Sequence, residues 1–186
     1  MRKLISALVL TLLAATGCGS EGEEKTASPD MASSPAATAS AAPEGSPSTE
    51  TPALWKFKAT SLKGEAFDGS TLAGKPVVLW FWAPWCPTCQ GEGPAVSAAA
   101  KKYGDKVAFV GVAGLDKSKE QMDAFVSRTG TSNFTHLDDR TGSLYKHFKV
   151  TSQSSYLVVN PEGGTHSAVG PLSEADLSEL IDQYAL

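Results

Sequence analysis

Residues 80–94, WFWAPWCPTCQGEGP, are the only stretch of this 186-residue chain whose residue types and spacing imply a specific reaction. The apolar run just before and into it, Val77–Trp82, reads as a strand buried on both faces. It ends in a turn carrying Cys86, and Cys89 follows three residues later. That spacing brings two thiols within disulfide reach. If a helix begins at Cys86, its free N–H groups and the positive end of its dipole favour a thiolate there, lowering that thiol's pKa. Cys86 is then the attacking sulfur, open to a visiting protein, and Cys89 the resolving one.

Two plainer readings of the pair are weaker. A zinc site needs two more Cys or His ligands in a matching pair, and the chain offers only Cys18 and the scattered His136, His147 and His166. No metal is therefore assigned. A purely structural disulfide closing so short a loop removes little chain entropy, because the gain grows with loop length. A redox pair fits better.

Working outward, residues 55–60 alternate apolar and polar, and Lys63-Gly64 marks a turn before Ala66-Phe67, which predicts a small edge hairpin. Residues 70–76 predict one helical turn stopped by Gly74 and Pro76. Beyond the cysteines, residues 90–103 continue as helix, kinked or restarted near Pro94 and closed by Gly104. Residues 107–113 read as a second buried strand and 117–129 as a helix with Met122, Phe125 and Val126 on one side. Residues 134–137 predict a short extended segment, and 141–148 a short helix. Residues 156–159 and 165–169 form strands joined by the turn at Pro161-Glu162-Gly163-Gly164. Ser173 caps a last helix with Leu177, Leu180, Ile181 and Tyr184 at helical intervals. The order strand, helix, strand, helix, strand, strand, helix implies an α/β three-layer sandwich. Its central sheet is mainly parallel, with an antiparallel edge hairpin and helices on both faces.

Composition bounds the partners. At 41% hydrophobic and 19% charged, the chain buries one core. Residues 1–17 carry Arg2 and Lys3, then an apolar run too short to span a bilayer, and read as an export signal. Its removal leaves 14 basic against 20 acidic residues, which argues against nucleic acid as a partner. Residues 19–52 are rich in Ala, Ser, Thr, Pro, Gly and Glu with no aromatic residue, a composition that cannot offset its ordering entropy. A flexible coil of that length spans about 30 Å on average. The domain proper is residues 53–186. No nucleotide, haem or flavin motif is visible, so no cofactor is assigned.

Two resemblances sharpen this reading. Ala15-Thr16-Gly17-Cys18 resembles a bacterial lipobox, with alanine where leucine is more usual. It implies lipidation of Cys18 and anchoring to the outer face of the cell membrane. Phe81-Trp82-Ala83-Pro84-Trp85-Cys86-Pro87-Thr88-Cys89 resembles the active-site segment of the thioredoxin fold, and Cys86–Pro94 that of its extracytoplasmic TlpA, ResA and DsbE branch. Residues 109–113, 125–128 and 134–139 extend the similarity to exported actinobacterial DsbE-like proteins. The resemblance implies thiol–disulfide exchange with exported proteins, and a membrane redox partner that recycles the pair. Pro87 and Thr88 would tune the potential, while Trp85 and Pro84 would form a flat apolar contact surface beside Cys86.

Glu92 stands where the ResA-like branch carries an acidic residue near the cysteines, and Trp80 where cytoplasmic thioredoxins place a buried acid. Glu92 is therefore the candidate general base; its alternative is a solvated helix carboxylate. In place of the family's cis-proline the chain has Ser154, which with Gln153 is assigned to substrate docking. A serine makes the trans peptide the expectation. That departure opens a second class, a copper chaperone of the same fold holding Cu(I) through Cys86 and Cys89, with His147 or His166 as a further ligand.

Overall fold

The computed structural model describes residues 51–186; the export signal, Cys18 and nearly all of the tether lie outside the described residues. The fold is built on β3 (Val77–Trp82), in which every residue is buried. Strand geometry turns successive side chains to opposite faces, so one apolar run supplies two cores. Val78, Trp80 and Trp82 enter one, and Val77, Leu79 and Phe81 the other.

Around β3 the sheet has the order β5-β4-β3-β6-β7, with β4 at Ala108–Gly114, β5 at Thr135–Asp139, β6 at Ser155–Val159 and β7 at Thr165–Val169. The β3–β4 and β4–β5 ladders are parallel, and the β3–β6 and β6–β7 ladders antiparallel. Only β6 opposes the other four strands. This is the mixed α/β, thioredoxin-like arrangement that the sequence predicts. The hairpin β1 (Lys58–Thr60) and β2 (Ala66–Asp68) forms a separate two-stranded sheet, joined to β5 by the bridge between Ser61 and Leu137.

The layers are unequal. Helices α1 (Pro87–Tyr103), α2 (Lys119–Thr129) and α4 (Glu174–Tyr184) supply Val96, Met122, Phe125, Leu177 and Ile181 to the core containing Trp80 and Trp82. Trp82 stacks on Phe125 with ring centroids 4.1 Å apart and planes 10° from parallel, seating α2 over the sheet. The opposite core is closed by the short α3 (Ser143–His147), by Phe148, and by Trp55 and Leu72 from the N-terminal turns. Ser173 caps α4 with a reciprocal capping box to Asp176.

Two expectations change. Residues 53–55 form a 3-10 turn, so the first strand is shorter than the alternation from residue 55 suggests; Trp55 is needed as a lid on the second core. The extended segment near residue 134 is a full sheet strand, β5, which with α3 adds a strand and a helix to the predicted order. Its sequence, Thr-His-Leu-Asp-Asp, hides this because His136 and Asp139 are polar yet buried.

Candidate active site

The turn after β3 ends at Cys86, the N-cap of α1. Pro87 occupies the first helical turn, where a missing N–H costs nothing, and Cys89 N–H donates to Cys86 Sγ across 3.1 Å. The sulfur therefore takes the place of the usual oxygen cap at the positive end of a 17-residue helix. The helix runs unbroken through Pro94 and closes on Gly104, whose N–H donates to Ala100 O.

Both cysteines are free thiols in this structure. Cys86 is 3% exposed and Cys89 fully buried, so the attacking sulfur is less open than the sequence predicts. The capping contact is the reason: it turns Sγ toward the first turn of α1. Burial pushes the Cys89 thiol well above its ordinary range, and its hydrogen bond with Cys86 adds to the effect. Cys89 holds its proton; Cys86 accepts.

One turn beyond Cys89, Glu92 is 2% exposed, which rules out the solvated carboxylate. Ser154 Oγ donates to Oε2 at 2.8 Å and the Leu172 backbone N–H to Oε1 at 3.0 Å. Trp80 Nε1 and Tyr156 Oη, both buried and without a well-formed hydrogen bond, lie beside the same carboxyl and favour its ionised form. Burial outweighs these donors and raises the Glu92 pKa.

The remaining predicted residues divide. Trp85 is 49% exposed and its indole N–H donates to Leu115 O at 2.9 Å, which leaves an apolar ring standing beside Cys86. Pro87 is exposed and Thr88 half-buried. Pro84 is buried, with its carbonyl accepting from Gln90 Nε2, so it does not form the outer surface assigned to it. Gln153 is half-buried. Ser154 is buried and its hydroxyl faces Glu92, which corrects its assignment to substrate docking. The peptide preceding it is trans, as expected.

The histidines are scattered among other contacts. His147 contacts Leu54 O and Phe57, His166 stacks on Tyr184, and His136 lies between Trp82 and the Thr131 carbonyl. Among the described residues no three His, Cys, Asp or Glu side chains converge as metal ligands, so the copper reading lacks its further ligand. Leu115, exposed with φ of 56°, and Gly170, against which the Glu92 carboxyl packs, are site residues that the sequence did not single out. A glycine just before the last helix was the available signal for the second of these, since glycine permits close approach.

The sequence pattern of the AhpC/TSA family matches residues 51–166. The chain belongs to the AhpC/TSA family. Among curated relatives of this AhpC/TSA-family chain is the soluble secreted antigen MPT53 of Mycobacterium tuberculosis. It is 37% identical over 130 residues, 70% of this chain and 73% of the relative. Among solved structures, MTB dsbF in its mixed oxidized and reduced forms superposes with a TM-score of 0.69 at 44% identity, covering 72% of this chain and 98% of the other. A secreted Mycobacterium tuberculosis disulfide oxidoreductase homologous to E. coli DsbE gives 0.66 at 36% identity, covering 70% and 97%. With its paired thiols, this AhpC/TSA-family chain is a thiol–disulfide oxidoreductase of thioredoxin fold.

Proposed function

We propose that this oxidoreductase works outside the cytoplasm, anchored to the cell membrane through a lipidated Cys18, and exchanges disulfides with other exported proteins through Cys86 and Cys89. The observation that carries the assignment of roles is the asymmetry of the pair. Cys86 Sγ caps α1 and accepts from Cys89 N–H, whereas Cys89 is buried and held protonated. The secreted character of the relative MPT53 supports the compartment.

In the reducing direction, the Cys86 thiolate attacks a substrate disulfide, forming a mixed disulfide and releasing one substrate thiolate. Cys89 then gives its proton to Glu92 and attacks Cys86 Sγ. The mixed disulfide breaks, the Cys86–Cys89 bond forms, and the second substrate thiolate leaves. Two electrons pass to the substrate, and a dithiol partner at the membrane restores the pair. The oxidising direction is the same sequence reversed, with a disulfide partner. Glu92 serves as proton acceptor because its fixed carboxylate stands one helical turn from Cys89.

Trapping tests this reading. The full chain carrying Cys89→Ser, expressed in its own cell envelope, should accumulate mixed disulfides through Cys86 that reductant releases. Absence of any adduct, with the protein exported and folded, overturns it. The reduction potential sets the direction: near thioredoxin's roughly −270 mV the chain is a reductant, near DsbA's roughly −120 mV an oxidant.

A further inference from the structure

Position 154 is built for a residue that proline cannot imitate. Ser154 has φ of 61°, its N–H donates to Phe81 O at 2.8 Å, and its carbonyl accepts from Gly170 N–H at 2.8 Å. Proline lacks the N–H and is fixed at negative φ. Holding a non-glycine residue at positive φ is strained, so local contacts must offset it. The side chain supplies the reason. From this backbone, Ser154 Oγ reaches Glu92 Oε2 across 62 residues of sequence.

The seat of the carboxyl is closed on its other sides. A Cβ at Gly170 would stand inside the Glu92 carboxyl and against Ser154 Oγ. Leu172 N–H holds Oε1, while Trp80 on β3 and Tyr156 on β6 flank the group. The titratable groups facing it are Cys89 on its own helix and Tyr156 on β6. Among the described residues, only Ser154 and Leu172 form regular hydrogen bonds to it, one to each oxygen.

We propose that Ser154 is a positioning residue for the exchange reaction: its hydroxyl, at a position where proline would leave no side-chain donor, fixes Glu92 so that the carboxylate can take the Cys89 proton. The proposal rests on the reading of Glu92 as proton acceptor. It moves Ser154 from the substrate's side of the site to the proton's side.

The test follows the carboxyl itself. The reduced full-length protein is titrated by 13C NMR, with Glu92→Gln identifying the Glu92 carboxyl resonance. Ser154→Ala removes a donor to the ionised form, so its midpoint should rise by about one pH unit. Gly170→Ala, which crowds both the carboxyl and the Ser154 hydroxyl, should shift it too. The second readout is the rate at which Cys89 resolves a preformed mixed disulfide on Cys86. Ser154→Ala should slow this step about tenfold near neutral pH, and should add nothing further in the Glu92→Gln background. An unmoved midpoint in Ser154→Ala overturns the proposal and leaves the role of Glu92 standing. A resolving step that Glu92→Gln does not slow overturns the reading of Glu92, and the proposal with it.

Discussion

Ser154 Oγ donates to Glu92 Oε2 at 2.8 Å, tying the residue just before β6 to the second turn of α1. Burial makes a carboxylate held in this way a cost to the fold, which the proposed role as proton acceptor would account for.

Glu92→Gln should therefore separate activity from stability. Resolution of mixed disulfides should slow by about 100-fold, the usual scale of a lost general base. Burial raises the folded-state pKa of Glu92, so its contribution to stability is fully present below the unfolded value of about 4.5 and is lost as pH rises through the folded value. Chemical denaturation across that range should show the wild type weakening with rising pH relative to the Gln variant. An equal pH slope in both proteins would contradict the assignment.

The two thiols should differ sharply toward alkylation. Cys89 is fully buried and held protonated, while Cys86, 3% exposed, sits at the helix N-terminus between the exposed Trp85 and Pro87. Brief iodoacetamide treatment of the reduced native protein near pH 7 should modify Cys86 at least about 100-fold faster than Cys89, as read by peptide mass spectrometry. Denaturant should erase the difference.

His136 should make the fold acid-sensitive. Burial lowers its pKa from 6.5 to about 4. Its Nδ1 accepts from Trp82 Nε1 at 3.1 Å and its Nε2–H donates to Thr131 O at 2.9 Å, an arrangement for the neutral ring. Below pH 6.5 the unfolded chain takes up a proton that the folded chain refuses, so stability falls as pH drops toward 4. The full loss is on the order of 3 kcal/mol. Urea denaturation at several pH values should show this fall, and His136→Gln should flatten it.

Gly111→Ala should weaken the same contact from the other side. A Cβ at Gly111 would overlap the His136 ring and press on Trp82 Nε1, both buried against β4. The expected destabilisation is about 2 kcal/mol or more, combining overpacking with a strained buried hydrogen bond. Guanidinium unfolding measures it directly.

Much of this was legible in the residues. The run Val77–Trp82 predicted a central strand because six consecutive apolar side chains satisfy two cores only in a sheet covered on both faces. The helix start at Cys86 entered the sequence reading only as a condition, and Pro87 in the first turn of α1 now accounts for it. What stayed hidden depends on partners distant in sequence. Glu92 lies among Gly91, Gly93 and Pro94, where periodicity does not distinguish a buried face from a solvated one. Its donors come from residues 154 and 172, supplied by chain folding back from the far end of the domain. Pro84 was placed at the surface by the resemblance alone, and in the structure it is buried while its neighbour Trp85 stands exposed.

Gly170 carries a consequence for descent. Its missing side chain is the space the Glu92 carboxyl fills, so a larger residue there obliges the carboxyl to move. A chain that gained a side chain at 170 would have to seat its acid at 92 differently, which couples the two positions in any lineage that keeps this seat.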